Sequence, residues 1–350
     1  MDPSWNLGSD FILLGEMPAL QEVKQSFVQR TLWWIKRDLR VTDNHCLFLG
    51  TQSSEEVIPF FCWEPSILNA EDYGEFHLQA QWQGLHGLSA SLRKRGSGLV
   101  ERVGEVVEQL HALFQRYPFQ RIRSYQETGN DLTFRRDRAV RKWCQEHGVE
   151  WIESVGSTVV RGMSAEQKRK TLGQGPRGRL AVLTVPENLC PPKDRFLFSQ
   201  PMEWQALVTG FSRFSGSLSN KVQTVNERAA WDTLGSFLKD RGVAYSGGIS
   251  SPNTAFTAGS RLSPHLAWGT ISSGSVFAAL DQRREELSRE KGKNPWRGSL
   301  RAFESRLHWR DHFVQRLEGS PQMEFSAINP AYNEIEYEDD PGLLDAWLHG

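Results

Sequence analysis

The run Gly259-Ser260-Arg261-Leu262-Ser263-Pro264 concentrates groups that can hold an anion. Glycine lets a backbone approach closely, two serines offer hydroxyls, and arginine offers a planar fork of donors. Proline suits the first turn of a helix, whose free N–H groups favour a phosphate. The helix it opens is read from Pro264 to Arg284. The same residues also suit an ordinary helix start, with Ser263 as the capping hydroxyl and Arg261 in solvent. On these residues alone the two readings stand level.

Two further stretches carry chemistry. Leu307-His308-Trp309-Arg310-Asp311-His312-Phe313 sets a guanidinium beside an indole within a helix read from Trp296 to Leu317. Trp309 there either lines a cavity or packs with Phe303, Leu307 and Phe313. Lys36-Arg37-Asp38-Leu39-Arg40-Val41-Thr42-Asp43-Asn44 follows an apolar strand; its plain reading is a charged turn with a helix cap at Asp43 or Asn44. No GxGxxG or GxxxxGK[ST] follows that strand, which argues against a dinucleotide fingerprint or an NTPase phosphate loop. Cys46, Cys62, Cys144 and Cys190 show no metal-binding or disulfide spacing, so no metal site is expected and a reducing, cytoplasmic compartment is.

The elements that must position these residues follow from periodicity. Short runs rich in branched and aromatic residues, Leu32 to Ile35, Val57 to Trp63, Gly98 to Arg102, Arg121 to Tyr125 and Val149 to Glu153, read as strands. Helices lie between them. Gly104 to Gln115 shows apolar Val106, Val107, Leu110, Leu113 and Phe114, and a second helix runs from Asn130 or Asp131 to Gly148 with Ala139, Val140, Trp143 and Cys144 as its stripe. This alternation predicts an α/β doubly wound parallel sheet, Rossmann-like, with a ligand site at the carboxyl ends of its strands. Residues 156–200 read as a long, mobile linker, with Arg161, Lys168, Arg169, Lys170, Arg177 and Arg179 against Glu166 in its basic part. Beyond it Glu203 to Val208, Val225 to Lys239 and Pro341 to Leu348 join the helices already named, predicting an all-α second domain. The expected division is a leader at 1–29, an α/β domain at 30–155, the linker, and a helical domain at 201–350.

Lys and Arg number 41 against 42 Asp and Glu, so total charge points to no polyanion partner. A local patch does: residues 283–316 hold ten Lys or Arg against five Asp or Glu. No apolar run is long enough to span a membrane.

Taken together, Trp33 to Asn44, Gly259 to Gly269 and Leu307 to Phe313 resemble the photolyase/cryptochrome family of flavoproteins, over about Thr31 to Gly350. The resemblance implies a Rossmann-like domain followed by a helical FAD-binding domain. It implies that Tyr245, Ser260, Arg261, Leu262 and Ser263 contact the FAD diphosphate, that Arg310 faces the phosphates from the next helix, and that Trp309 lines the substrate cavity. Glu127 falls where family members place a contact to a folate or deazaflavin antenna, although a surface glutamate is its simpler reading. The implied activity is light-driven electron transfer from FAD to pyrimidine dimers in single- or double-stranded DNA. The alternatives are a blue-light receptor read by a signalling partner, or an inactive family member.

Three departures bear on this. Repairing members carry a glutamate where this chain has Arg306, and a guanidinium cannot accept a hydrogen bond from a base. Glu304, two positions away, points elsewhere on a helix. Tyr337 stands where an outer tryptophan of the family's electron chain is expected. Family members also continue after a segment like Leu344 to Gly350 into further helices around the flavin, so the helical domain is expected to be incomplete at its C-terminus, either as a fragment or with poor FAD affinity.

Overall fold

A computed structural model describes residues 29–52, 56–172, 182–193, 197–211, 213–214, 217–220, 222–289, 294–336 and 338–350. The leader read at 1–29, all but its last residue, lies outside these, as do Arg177, Arg179 and Tyr337.

Five strands, β1 (Arg30–Trp34), β2 (Glu56–Trp63), β3 (Val100–Val103), β4 (Arg121–Tyr125) and β5 (Glu150–Ser154), form one sheet in the order β3-β2-β1-β4-β5. Every pairing is parallel. The period-2 alternation of β1 builds both faces: Leu32 and Trp34 enter one core with Ile58 and Phe60, while Trp33 and Ile35 enter the other with Val57 and Phe61. All of these are essentially without solvent contact, and each aliphatic or phenyl side chain so buried stabilises the fold by about 1.5–3 kcal/mol.

The first core is covered by α1 (His45–Gln52), α2 (Pro65–Leu68) and α3 (Glu75–Lys94), together with α7 (Trp204–Thr209). The second is covered by α4 (Val106–Arg116) and α5 (Asp131–His147). The caps of α5 are as its sequence predicts: Asn130 accepts from the N–H of Thr133 at 3.2 Å, and Gly148 ends the helix at φ 64°. Its buried stripe differs, running through Thr133, Asp137, Val140, Trp143 and Cys144 with Ala139 exposed.

The remainder is helical: α6 (Ala165–Leu172), α8 (Glu227–Lys239), α9 (Tyr245–Gly248), α10 (Pro252–Ala258), α11 (Ser263–Trp268), α12 (Ser273–Ser288), α13 (Trp296–Gly319) and α14 (Pro341–His349). A third core of Leu234, Phe237, Leu262, Val276, Leu280, Leu300 and Phe303 joins α8, α12 and α13 to the start of α11. The single helix expected from Pro264 to Arg284 is two. Gly269 ends α11 at φ 65°, and a Cβ there would sit 1.9 Å from the carbonyl oxygen of Arg37. Only glycine lets the end of α11 abut the turn after β1. Ser272 then restarts the chain, its hydroxyl accepting from the N–H of Ser275 at 2.8 Å.

The segment read as a mobile linker is tied down where it is described. Gln315 of α13 bonds Val160 N and O at 2.8 and 2.9 Å, Thr158 bonds Asp311, and the carbonyl of Cys190 accepts from Val57 at 3.0 Å. Its backbone groups thereby find partners that a solvated linker would take from water.

Candidate cofactor site

The anion-holding residues lie on a short loop and helix fixed from beneath. Arg241 donates to the carbonyl oxygens of Gly259 and Ser260, and Gln223 donates to that of Arg261 at 2.9 Å. Held this way, Arg261 takes a left-handed backbone at φ 59°, which costs a non-glycine residue about 1–2 kcal/mol. Its guanidinium lies 3.9 Å over the ring of Phe256. Leu262 is buried in the helical core, and Ser263 is exposed. The capping reading of Ser263 is corrected: it is the first residue of α11, and Leu262 occupies the cap without a side-chain bond. With six residues α11 sums few peptide dipoles, so attraction for an anion rests on side-chain donors.

His265 anchors this helix from inside. It is fully buried, its Nδ1 lies 2.9 Å from Thr270 Oγ1, and its Nε2 lies 3.1 Å from the amide of Gln223. Burial pushes the imidazole down to about 4, so it is neutral at pH 7. The Gln223 amide donates to Nε2, which assigns the proton to Nδ1 and makes Thr270 the acceptor.

Helix α13 brings the second motif to the first. Its inner face carries Phe303 and Leu307 into the core, where Phe303 meets Phe237 at 4.7 Å and Tyr245 at 5.8 Å between ring centroids. Burial pushes the Tyr245 phenol up while the charge of Arg306 opposes it, placing these two side chains in each other's field. Arg310 reaches the carbonyl of Leu266 in α11 at 3.4 Å and its neighbour Asp311 at 3.3 Å. Trp309 and Phe313 stand outward, 48% and 56% exposed, with rings 5.6 Å apart. The core-packing reading of Trp309 is therefore overturned. Glu304 pairs with Arg284 at 2.7 Å, away from Arg306. The structure thus brings Arg310 onto the helix opened by Ser263 and sets Tyr245 within the field of Arg306, whereas the guanidinium of Arg261 is engaged with Phe256.

A different constellation fills the carboxyl end of the sheet, where the strand order reverses between β1 and β4. Lys36 and Asp137 pair at 2.8 Å, both buried. Arg136 meets Glu64 at 3.2 Å, Glu127 at 2.7 Å and Asp137 at 2.9 Å, with its guanidinium 5.0 Å over Trp34. Glu127 is 4% exposed, which corrects its reading as a surface glutamate. Burial drives both carboxyls up, but Arg37, Lys36 and Arg136 overcome it at Glu127 and hold that group down to about 2. At Glu64, burial outweighs Arg136 and the carboxyl is raised to about 7. Sequence reasoning missed Lys36, Glu64, Arg136 and Asp137 as a set, although a charged residue in the buried stripe of α5 was a signal for one of them.

The charged turn after β1 fastens the sheet to the helices. Arg40 donates to the carbonyls of Gly269 at 2.9 Å and Asp43 at 3.0 Å, and Glu227 accepts from the N–H groups of Val41 and Thr42 at 3.0 and 2.9 Å. Asn44 caps α1 by accepting from Leu47 at 3.1 Å.

Comparison with known proteins agrees with this architecture. The family model described as DNA photolyase matches residues 31–174. The chain is 25% identical over 334 residues to the deoxyribodipyrimidine photo-lyase of Agrobacterium fabrum, covering 91% of this chain and 65% of that one. It is 26% identical over 303 residues to the blue-light photoreceptor PHR2 of Arabidopsis thaliana, covering 80% and 67%. Its fold matches the crystal structure of an archaeal photolyase from Sulfolobus tokodaii, which contains two FAD molecules, with a TM-score of 0.64 and 21% identity over 91% of this chain and 66% of that one. The chain therefore spans about two thirds of the length of these relatives. With its parallel sheet and its helical remainder, the chain is similar in sequence and fold to photolyases and to a blue-light photoreceptor, and its first domain matches the DNA photolyase family model.

Proposed function

We propose that this chain holds FAD against α11 and α13 and serves light-driven electron transfer to pyrimidine dimers in DNA. The observation that carries the reading is the contact of Arg310 with the carbonyl of Leu266, which seats a guanidinium of α13 on the short helix opened by Ser263. The donor set suits a diphosphate. Arg310 supplies charge, Ser260, Ser263 and Tyr245 supply hydroxyls, and the buried Leu262 fixes the helix that presents them.

A bound reduced flavin supplies, on absorbing blue light, the electron that splits a cyclobutane dimer. The chain's own residues bind and exclude. Trp309 offers an exposed ring on which an extruded base can stack, and the exposed Arg297, Arg301, Arg306 and Arg316 of α13 supply cations for the phosphate backbone. The division into an α/β unit at 30–155 and a helical unit from 201 belongs to the same proposal.

Arg306 favours a second reading, a blue-light receptor, because it cannot accept from a pyrimidine N–H where a glutamate would. The purified chain is to be loaded with FAD, its spectrum recorded, and dimer-containing single- and double-stranded DNA illuminated with it. Flavin absorbance with loss of dimers is the expected result. Absorbance without dimer loss selects the receptor, and an empty spectrum sinks both. In flavin-loaded protein, Arg306→Glu is expected to raise the repair rate about tenfold, the effect of one charged hydrogen bond.

A further inference from the structure

Doubly wound sheets take their ligands at the carboxyl ends of the strands where the order reverses. In this chain that place is lined by Trp34, Lys36, Trp63, Glu64, Glu127 and Arg136. We infer that this crevice is locked by its own ion pairs and takes no folate, flavin or deazaflavin antenna.

Size is the first argument. The cavity left among these side chains is about 70 Å³. Pockets that bury drug-sized molecules run to about 300–1,000 Å³, whereas 70 Å³ holds a few waters. Glu64 lines this space, and its Oε2 is buried without a hydrogen-bond partner.

Charge balance is the second. Two cations, the buried Lys36 and Arg136 with its side chain 11% exposed, face three buried carboxyl groups, Glu64, Glu127 and Asp137, and the exposed Arg37 adds its field to Glu127. Glu127 would meet an antenna only by giving up Arg136, leaving that guanidinium without one of its three partners in a place that water reaches poorly.

The third is the wall. Trp268, at the end of α11, lines the crevice from the helical side, and its carbonyl accepts from Leu39 at 3.3 Å. Beside it Gly269 lies so close to Arg37 that a single Cβ would collide with backbone. That wall cannot recede without breaking the contact that joins sheet to helices.

Two measurements on the full chain test this, and neither depends on flavin binding at α11. In the first, FMN, 5,10-methenyltetrahydrofolate and 8-hydroxy-5-deazaflavin are each added to about 100 μM and the melting temperature is followed. The expected result is no saturable rise, or a rise that Glu127→Gln leaves intact, which puts the ligand outside the crevice. A saturable rise abolished by Glu127→Gln overturns the inference. In the second, Arg136→Met is melted without ligand. A lock predicts a fall of at least about 5 °C, whereas side chains awaiting a ligand predict no fall. The ligand arm uses the unsubstituted chain and Glu127→Gln, so it stands even if Arg136→Met does not fold.

Discussion

Arg136 and Arg310 sit on helices that border the two candidate sites, and their surroundings are opposite. Arg136 is buried beside three carboxylates and over an indole. Arg310 is 39% exposed, with one carboxylate and one carbonyl at the long end of hydrogen-bond distance. The first guanidinium has spent its donors on the protein; the second retains them. The same contrast holds for the indoles, with Trp34 and Trp63 packed away and Trp309 half in water. Residue type alone does not separate a lock from a binding surface. The number and burial of a side chain's partners do.

The sharpest way to break the comparison is to empty one position on each side. Asp137→Ala leaves Lys36 buried without its carboxylate and removes a partner of Arg136. Breaking a buried pair in this way costs about 3–5 kcal/mol, to be read from urea unfolding at pH 7. A loss below about 1 kcal/mol would show that water already reaches the network and that the crevice is open.

A smaller effect distinguishes the two regions by their pH dependence. Glu64, raised to about 7, binds a proton in the folded protein that the unfolded chain releases near 4.5, so its contribution is full below 4.5 and is lost as pH rises to 7. His265, lowered to about 4, runs the other way: its contribution is full above 6.5 and is lost as pH falls to 4. Each is worth up to about 3 kcal/mol at about 1.4 kcal/mol per pH unit, so they offset one another between pH 4.5 and 6.5. Glu64→Gln removes the first and keeps an acceptor for Arg136. The stability of the variant relative to the unsubstituted chain is therefore expected to climb by about 2 kcal/mol from pH 4.5 to 6.5. If the two profiles coincide, the Glu64 carboxyl is not raised by its burial.

Much of the α/β region was legible because its signals are local. Alternation in β1 and β2, the cap at Asn130 and the stop at Gly148 each follow from a few neighbouring residues, and the strands fell within one or two positions of their expected ends. The network was hidden because its members follow the ends of β1, β2 and β4 or lie on α5, and only the sheet order brings them together. Asp137 could have been found: it falls in register with Thr133, Val140 and Cys144 on α5, where a charge needs a partner. The break between α11 and α12 was lost for a similar reason. Gly269 is an ordinary residue by composition, and its necessity comes from Arg37, which is distant in sequence. Among the candidate site residues, Arg310 reaches α11 and Trp309 is exposed, while the guanidinium of Arg261 lies over Phe256, a placement decided by a loop conformation the sequence does not display.

The smallest effect on the fold is also the most direct probe of the open side. Arg310→Met preserves the aliphatic stem and removes a guanidinium that is partly in water, so unfolding free energy should change by no more than about 0.5 kcal/mol. Binding should change far more. A charged hydrogen bond to a phosphate is worth about 1.5–3 kcal/mol, so FAD affinity, followed by quenching of flavin fluorescence, should fall about 10- to 100-fold. The contrast between the two guanidiniums then becomes quantitative: removing Arg136 destabilises the fold and removing Arg310 only empties the site. Were Arg310→Met to lose stability and keep its flavin, the contact with Leu266 would be a helix clamp like that of Arg40 on Gly269, and Arg310 would drop out of the diphosphate donor set.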